Sequence, residues 1–316
     1  LRWSTSQGTG STHCAAGRRK TKMSRHSSRK SPLLLFLAAL IWGVAFVAQS
    51  VGMDYVGPWT FNACRFLLGG LILLPFCMKN RQTFQTNRKV TILGGICCGL
   101  ALSSASMFQQ TGIMYTTVGK AGFITALYII IVPLLGIFFR KKPSGKCVVA
   151  ALLALAGFYL LCMTESFSLQ LGDGLVLICA VLFSFHILII DHFSPLADGV
   201  QLSCIQFLTS AVICGVGTLL FEQPRMSSIL QGWMPILYAG VMSCGVAYTL
   251  QILGQKDMDP AIASLILSLE SVISMLAGWV ILGQALSGRE LLGCIIVFIA
   301  IILAQLPEKK KKAESV

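Results

Sequence analysis

Two charged side chains lie inside long apolar stretches of this sequence, and they are the residues best suited to chemistry. Glu270 falls near the middle of the run Ser264–Gly283, and Arg65 lies within an apolar run that spans residues 59–78. A charge at the centre of a bilayer costs about 2.5 to 3.5 kcal/mol on insertion scales. Such side chains are therefore expected to face a protein interior or a water-filled cavity, where they bind ions, substrates or one another.

Each of these charges leaves two roles open. Glu270 handles a substrate or a proton, or it has a structural role in which the hydroxyls of neighbouring serines satisfy it. Arg65 cannot lose its charge, so it needs a carboxylate, backbone carbonyls or an anionic substrate. It serves either substrate binding or the tethering of helices. Asn62 lies about one turn before Arg65 on the same helix face and joins the candidates.

The motifs of enzymes, metal sites and nucleotide sites are absent from the sequence. It contains no D-x-x-x-D, H-E-x-x-H or G-x-x-x-x-G-K-[ST] pattern, and its twelve cysteines include no C-x-x-C spacing. His186 lies near Asp191 and His192, but one helix offers too few correctly spaced ligands for a metal. We therefore expect no enzyme activity, no metal and no cofactor, and we interpret the cysteines as packing residues.

The composition is that of an integral membrane protein. Of the 316 residues, 55% are hydrophobic and only 12% are charged, and the mean hydropathy is +0.77. Apolar runs of about 20 residues match the roughly 30 Å that a helix must cross. They predict an all-α fold of ten transmembrane helices, at about 32–51, 59–78, 90–113, 118–139, 145–163, 173–191, 200–220, 232–253, 261–282 and 290–306.

The basic residues predict the orientation. With the N-terminus inside, twenty Lys and Arg residues fall on the cytoplasmic side, and only Arg225 and Arg289 fall in outer segments. Both termini are therefore expected to be cytoplasmic. The net charge of +13 is then explained by basic residues that lie on the cytoplasmic side and contact anionic membrane lipid. We therefore expect no nucleic-acid partner. Residues 1–31 and 307–316 are expected to be basic cytoplasmic tails, the first disordered, and we expect residues before Met23 not to be native product.

The sequence contains an internal repeat, in which similar segments recur at an offset of about 141 residues. "FLAALIWGVAF" aligns with "ICAVLFSFHI", and "GLALSSASMFQQ" aligns with "GVMSCGVAYTLQ". Two repeats follow, at 32–163 and 172–306. Each holds five predicted spans, and because five is odd, the second repeat must enter the membrane in the opposite sense. Inverted repeats of this kind place a substrate site near the midplane where the two halves meet.

Five more side chains are candidates for that site. Gln110 and Gln251 occupy equivalent places in the two repeats, so they either face a central cavity or bridge neighbouring helices. Tyr248 belongs to the same polar set. Trp42 is too deep for an interfacial belt, which favours a place in a cavity wall. Lys120 lies near the outer mouth of its span, where it either contributes to the site or snorkels to the headgroups.

Four stretches carry a resemblance to a known family: "ALIWGVAFV", "RFLLGGLILL", "GKAGFITALYIIIVPLLGIFF" and "ASLILSLESVISMLAGWVILGQALS". Together they resemble the EamA-type members of the drug/metabolite transporter superfamily, over roughly residues 32–306. The family pattern has Glu-Pro and then Gly-Glu in the last of these stretches. Here the pairs are Glu270-Ser271 and Gly283-Gln284, so a kink and an outer charge are missing.

The resemblance implies a secondary transporter in the plasma membrane. It implies a small-molecule substrate, an amino acid or an amphipathic amine, and it implies export. If transport is coupled to protons, Glu270 is the intramembrane carboxylate placed to carry them. The oligomeric state of the protein is left open. The alternative is a membrane-embedded lipid-handling protein or an enzyme with a non-standard site.

Overall fold

The computed structural model describes residues 30–79, 87–135, 145–162, 170–256, 258 and 260–305. Nearly all of these residues are helical, and no strand occurs among them. The predicted tails lie outside the described residues, except that the first helix already begins at Lys30. The helices are α1 Lys30–Gly52, α2 Pro58–Lys79, α3 Arg88–Ile113, α4 Val118–Thr125, α5 Tyr128–Leu135, α6 Gly145–Cys162, α7 Leu171–Phe193, α8 Gly199–Phe221, α9 Met226–Gln231, α10 Trp233–Tyr238, a π-helix Ala239–Tyr248, α11 Thr249–Gln255, α12 Pro260–Leu282 and α13 Gly288–Gln305.

Eight membrane-capable segments occur in the described part of the chain. Two of them are composite, because α4 continues into α5 and because α10, the π-helix and α11 follow one another without a break. The helices α6 and α13 add 18 residues each. The all-α fold is confirmed, and the number of ten crossings stays a prediction.

The distribution of side chains is that of a membrane protein. Large apolar residues such as Leu219, Leu220 and Val280 are exposed on the outside of the bundle, whereas polar residues such as Asn62 and Gln110 are fully buried. In water this arrangement would leave a large apolar surface exposed to solvent, whereas the hydrocarbon core of a bilayer solvates that surface. The chain is therefore a multi-pass membrane protein whose polar groups collect between the helices.

The two halves of the chain pack against each other through four pairs of helices. The most extensive helix contacts join α2 to α8, α3 to α7, α1 to α12 and α6 to α13, and every one of these pairs crosses from residues 30–162 to residues 170–305. Space enclosed between these pairs is therefore bounded by both halves.

Small residues bring α12 close to its neighbours. A Cβ atom at Gly43 of α1 would lie only 3.0 Å from the carbonyl oxygen of Glu270 and would overlap Ile273. A Cβ atom at Gly122 of α4 would overlap Ser274 in the same way. Only glycine permits this approach, which is typical of helices packed within a membrane.

The departures of α12 from the family pattern have simple structural outcomes. The helix runs unbroken through Glu270, since serine follows where the pattern has proline. It ends at Gly283, whose positive φ of 66° turns the chain. The next residue, Gln284, accepts a hydrogen bond of 3.0 Å from the backbone N–H of Val118 at the start of α4. A neutral amide thus joins the two halves where the pattern has a carboxylate.

Candidate functional site

A small cavity lies at the centre of the bundle, between the two halves. Both halves supply its wall, through α1 to α5 on one side and through α7, the π-helix, α11 and α12 on the other. Its volume of about 40 Å³ has room for a few water molecules. The lining residues are Trp42, Phe46, Gln49, Arg65, Gln109, Thr125, Tyr128, Phe183, Ile187, Ser243, Tyr248, Gln251, Leu267 and Glu270.

Glu270 has its partner in the other half of the chain. Its side chain is 4% exposed, and its Oε1 accepts a hydrogen bond of 2.9 Å from the hydroxyl of Tyr128. Two of the serines near it are engaged elsewhere, because Ser271 and Ser274 donate to backbone carbonyls of their own helix at 2.7 and 2.8 Å. The carboxylate is therefore held at the cavity by a phenol of α5.

Arg65 is buried, and no carboxylate of the described residues forms an ion pair with it. It is 1% exposed, and its guanidinium lies over the rings of Phe66 and Phe61, at 4.8 and 5.8 Å from their centroids. Its Nε and Nη2 have no hydrogen-bond partner among the described residues. The aromatic contacts stabilise the cation, but they leave the N–H groups of Nε and Nη2 unused.

Arg65 and Glu270 line the same cavity, although they belong to different halves of the chain. No ion pair within 4.0 Å joins them to each other, or either of them to another described residue. The cavity thus holds a guanidinium and a carboxyl group that form no ion pair with each other and are shielded from bulk water. In such surroundings both groups interact more strongly with a ligand than they would in water.

Asn62 is a neighbour of this site and not a part of its wall. Its Nδ2 donates to the carbonyl oxygen of Ser106 at 3.4 Å and to the sulfur of Met107 at 3.2 Å. It therefore ties α2 to α3, and it does not touch Arg65 through any hydrogen bond in the described part of the chain.

Aromatic side chains form the apolar part of the wall. Trp42 and Tyr248 meet edge to face with ring centroids 4.6 Å apart, and the indole N–H of Trp42 donates to the carbonyl oxygen of Ser243 at 3.4 Å. Phe46 and Phe183 complete this surface. Ser243 and Tyr248 lie in the π-helix, a conformation that is frequent at functional sites.

The structure separates the two glutamines that the repeat pairs. Gln251 lines the cavity, but Gln110 lies outside it and donates from Nε2 to the carbonyl oxygen of Gln49 at 2.9 Å. Its neighbour Gln109 faces the cavity instead and donates to the hydroxyl of Thr125 at 3.3 Å. Gln110 is thus a bridge between α3 and α1, which is the second of the two roles left open for it.

Lys120 lies away from the cavity and does not reach solvent. It is 9% exposed, and its Nζ forms an ion pair of 2.8 Å with Glu290 of α13. Glu290 also accepts from the backbone N–H and the hydroxyl of Ser287, each at 2.8 Å. Lys120 therefore connects α4 to α13 at the predicted outer end of the bundle.

Five polar lining residues were missed by sequence reasoning: Gln49, Gln109, Thr125, Tyr128 and Ser243. A signal existed for Tyr128, a lone phenol in the middle of an apolar run. His186 lies behind the wall, with its Nε2 3.2 Å from Oε1 of Gln206. No group of three or more metal-ligating side chains occurs in the described part of the chain.

Comparison with known proteins covers nearly the whole chain. The model of the EamA-like transporter family matches residues 29–163 and again residues 170–306. An uncharacterized transporter of Archaeoglobus fulgidus is 31% identical over 277 residues, which are 86% of this chain and 84% of that protein. The uncharacterized transporter YwfM of Bacillus subtilis is 28% identical, over 90% of this chain and 96% of its own length.

More distant proteins extend this picture. The uncharacterized inner membrane transporter YedA of Escherichia coli K12 is 23% identical, over 86% of this chain and 89% of its own. A solved crystal structure shares the fold, with a TM-score of 0.67 at 21% identity, over 88% of this chain and 96% of that one. The double match to one family model confirms that the chain contains two repeats.

Proposed function

Because the chain belongs to the EamA-like transporter family, we propose that it carries a small zwitterionic metabolite of the amino-acid class across the plasma membrane. Transport proceeds by alternating access, in which the two halves rock about the cavity between them. Both termini lie in the cytoplasm, and the direction is export, as the family resemblance implies.

One observation carries the substrate class: the guanidinium of Arg65 and the carboxyl group of Glu270 line one cavity without pairing with each other. The unused N–H groups of Arg65 suit a carboxylate, and the carboxylate of Glu270 suits an ammonium group. A zwitterion satisfies both at once. An amphipathic amine would satisfy Glu270 and leave the guanidinium unpaired, which makes it the poorer ligand.

The rest of the wall indicates the side chain of the substrate. Trp42, Phe46, Phe183 and Tyr248 offer aromatic surface beside the charged groups. This surface favours a ligand with an apolar or aromatic substituent. A cavity of about 40 Å³ is well below the roughly 300 Å³ at which typical ligand pockets begin. The halves must therefore move apart before such a ligand enters.

The experiment is a ligand series that removes one charge at a time. Phenylalanine carries both charges, phenethylamine lacks the carboxylate, and 3-phenylpropionate lacks the ammonium group. A ligand that binds only the folded protein raises its melting temperature. We expect phenylalanine to give the largest shift on the purified protein, and its uptake into sealed proteoliposomes should exceed that of both analogues. Equal shifts in melting temperature for phenylalanine and phenethylamine would favour an amphipathic amine as the substrate and would exclude a requirement for a zwitterion.

Coupling to protons is tested in the same vesicles. Glu270 is the carboxylate at the substrate site, so we assign to it any proton that moves with the substrate. An imposed pH gradient should then drive uptake in the unmodified protein and not in Glu270→Gln. Uptake that ignores the gradient in the unmodified protein would leave facilitated diffusion as the mechanism.

A further inference from the structure

Two cysteines meet where α2 packs along α8, close to the end of the bundle predicted to face the cytoplasm. Cys77 lies two residues before the end of α2, and Cys204 lies in the second turn of α8. The thiol of Cys77 approaches the carbonyl oxygen of Val200 at 3.7 Å, and the thiol of Cys204 approaches that of Gly70 at 3.5 Å. Both side chains also line the same groove. The two side chains are thus neighbours across the contact between the halves.

This pair lies beside a groove that a small reagent can enter. The groove is on the outside of the bundle, and its other lining residues are Leu74, Met78, Gln201, Ile205 and Leu208. Cys77 is half-buried there, and Cys204 is 3% exposed. Cys214 and Cys244 lie in the interior and are fully buried. A small reagent therefore reaches Cys77 first.

We propose that Cys77 and Cys204 are an oxidation site at which peroxide forms a disulfide between the two halves of the transporter. The Cys77 thiolate attacks one oxygen of the peroxide, which yields a sulfenic acid and hydroxide, and the hydroxide takes up the proton from the thiol to become water. The Cys204 thiolate then attacks the sulfenic sulfur, the S–S bond forms, and the leaving hydroxide combines with the second thiol proton. Two thiols and one peroxide thus give one disulfide and two waters.

The consequence rests on the proposed rocking of the halves. Since α2 belongs to the first half and α8 to the second, the disulfide fixes their contact in the arrangement seen here. The oxidised protein cannot complete a transport cycle until a reductant restores both thiols. A cytoplasmic surface is normally kept reduced, so the disulfide is a transient state that appears under oxidative stress.

The test uses the full-length purified protein and hydrogen peroxide as the probe. After oxidation, free thiols are blocked with N-ethylmaleimide and the protein is digested for mass spectrometry. We expect one dominant cross-linked peptide pair, containing Cys77 and Cys204, that disappears with dithiothreitol. Cys77→Ser should abolish the pair. Cys64→Ser, which removes another half-buried thiol of the same helix, should leave it intact.

The locking is measured on the same samples. Uptake of phenylalanine into proteoliposomes should fall in proportion to the cross-linked fraction and return with dithiothreitol, and Cys77→Ser should resist peroxide. The melting temperature should rise on oxidation, because the cross-link restricts the unfolded chain.

The outcomes separate this proposal from the function proposed above. Absence of the Cys77–Cys204 peptide after oxidation overturns the site, whatever the substrate is. Full uptake by a fully cross-linked protein overturns the locking. If the reduced protein does not carry phenylalanine, the proposed substrate fails, and the peptide pair and the melting temperature still decide whether the disulfide forms.

Discussion

The substitution Arg65→Gln tests the substrate site most directly. It removes the charge of the guanidinium and keeps an amide that can still donate hydrogen bonds. No described carboxylate forms an ion pair with Arg65, and its Nε and Nη2 have no partner among the described residues. If those groups bind the substrate carboxylate, the variant should lose affinity only for ligands that carry one.

The size of the effect follows from the burial of the contact. Arg65 is 1% exposed, so water does not screen its interaction with a ligand. A hydrogen bond to a charged group contributes about 1.5 to 3 kcal/mol. The dissociation constant of phenylalanine should therefore rise by about 10- to 150-fold in Arg65→Gln. Phenethylamine has no carboxylate, and its affinity should change far less.

The assay is a binding isotherm for each ligand on each purified protein, read from the ligand-induced shift in melting temperature. The difference between the two ligands in the two proteins forms a double-mutant cycle, which isolates the contact between Arg65 and the carboxylate. Arg225→Gln is the matched control. Arg225 precedes α9 at an exposed position, makes no capping hydrogen bond with its side chain, and lies away from the cavity.

Two results would refute the reasoning. One is an equal loss of affinity for phenylalanine and phenethylamine, which would mean that Arg65 shapes the cavity without binding a carboxylate. The other comes from the ligand-free melting temperature. Removing a buried charge that has no ionic partner should leave stability equal or higher. A large fall in melting temperature would instead identify Arg65 as a tether between helices.

Two further predictions concern the opposite charge and the frame of the site. Glu270→Gln should weaken the binding of phenylalanine and of phenethylamine alike, by about 10- to 150-fold, and leave 3-phenylpropionate nearly unchanged. The same isotherms measure it, with the exposed Asp54→Asn as control, and an unchanged phenethylamine affinity would exclude Glu270 as the ammonium site. Glu222 accepts three hydrogen bonds from Trp59 and Thr60, at 2.8, 2.8 and 2.6 Å, and so caps α2 from the end of α8. Glu222→Ala should therefore cost about 0.5 to 2 kcal/mol of stability, seen as a lower melting temperature that the exposed Gln223→Ala does not share. An unchanged melting temperature would show that water replaces the cap.

The fold could be predicted from the sequence because its causes are local and repetitive. A run of about 20 apolar residues dictates a membrane helix wherever it occurs, since only a helix satisfies its own backbone in lipid. The offset of about 141 residues likewise indicates a duplication without reference to any contact. Arg65 and Glu270 also stand out as candidates for a functional role, because placing a charged side chain within a membrane helix costs free energy.

The choice between neighbouring residues was beyond the sequence. Gln109 and Gln110 are equally polar, and one step along a helix turns a side chain by about 100°. Whether the cavity meets one or the other depends on how α3 is rotated against α1 and α7. That rotation is decided by how α3 packs against its neighbours, as in the contact between Gln110 and Gln49 of α1.

The pairing of distant residues was decided by the tertiary structure alone. Tyr128 reaches Glu270 across 142 residues of chain, and Lys120 reaches Glu290 across 170, so no local pattern relates them. The spacing of Cys77 and Cys204 in the sequence is equally uninformative, although both residues line one groove. The sequence alone determined that buried polar groups must exist between membrane helices. Only the docking of one half on the other decided which groups meet, because that docking sets distances that the order of residues does not contain.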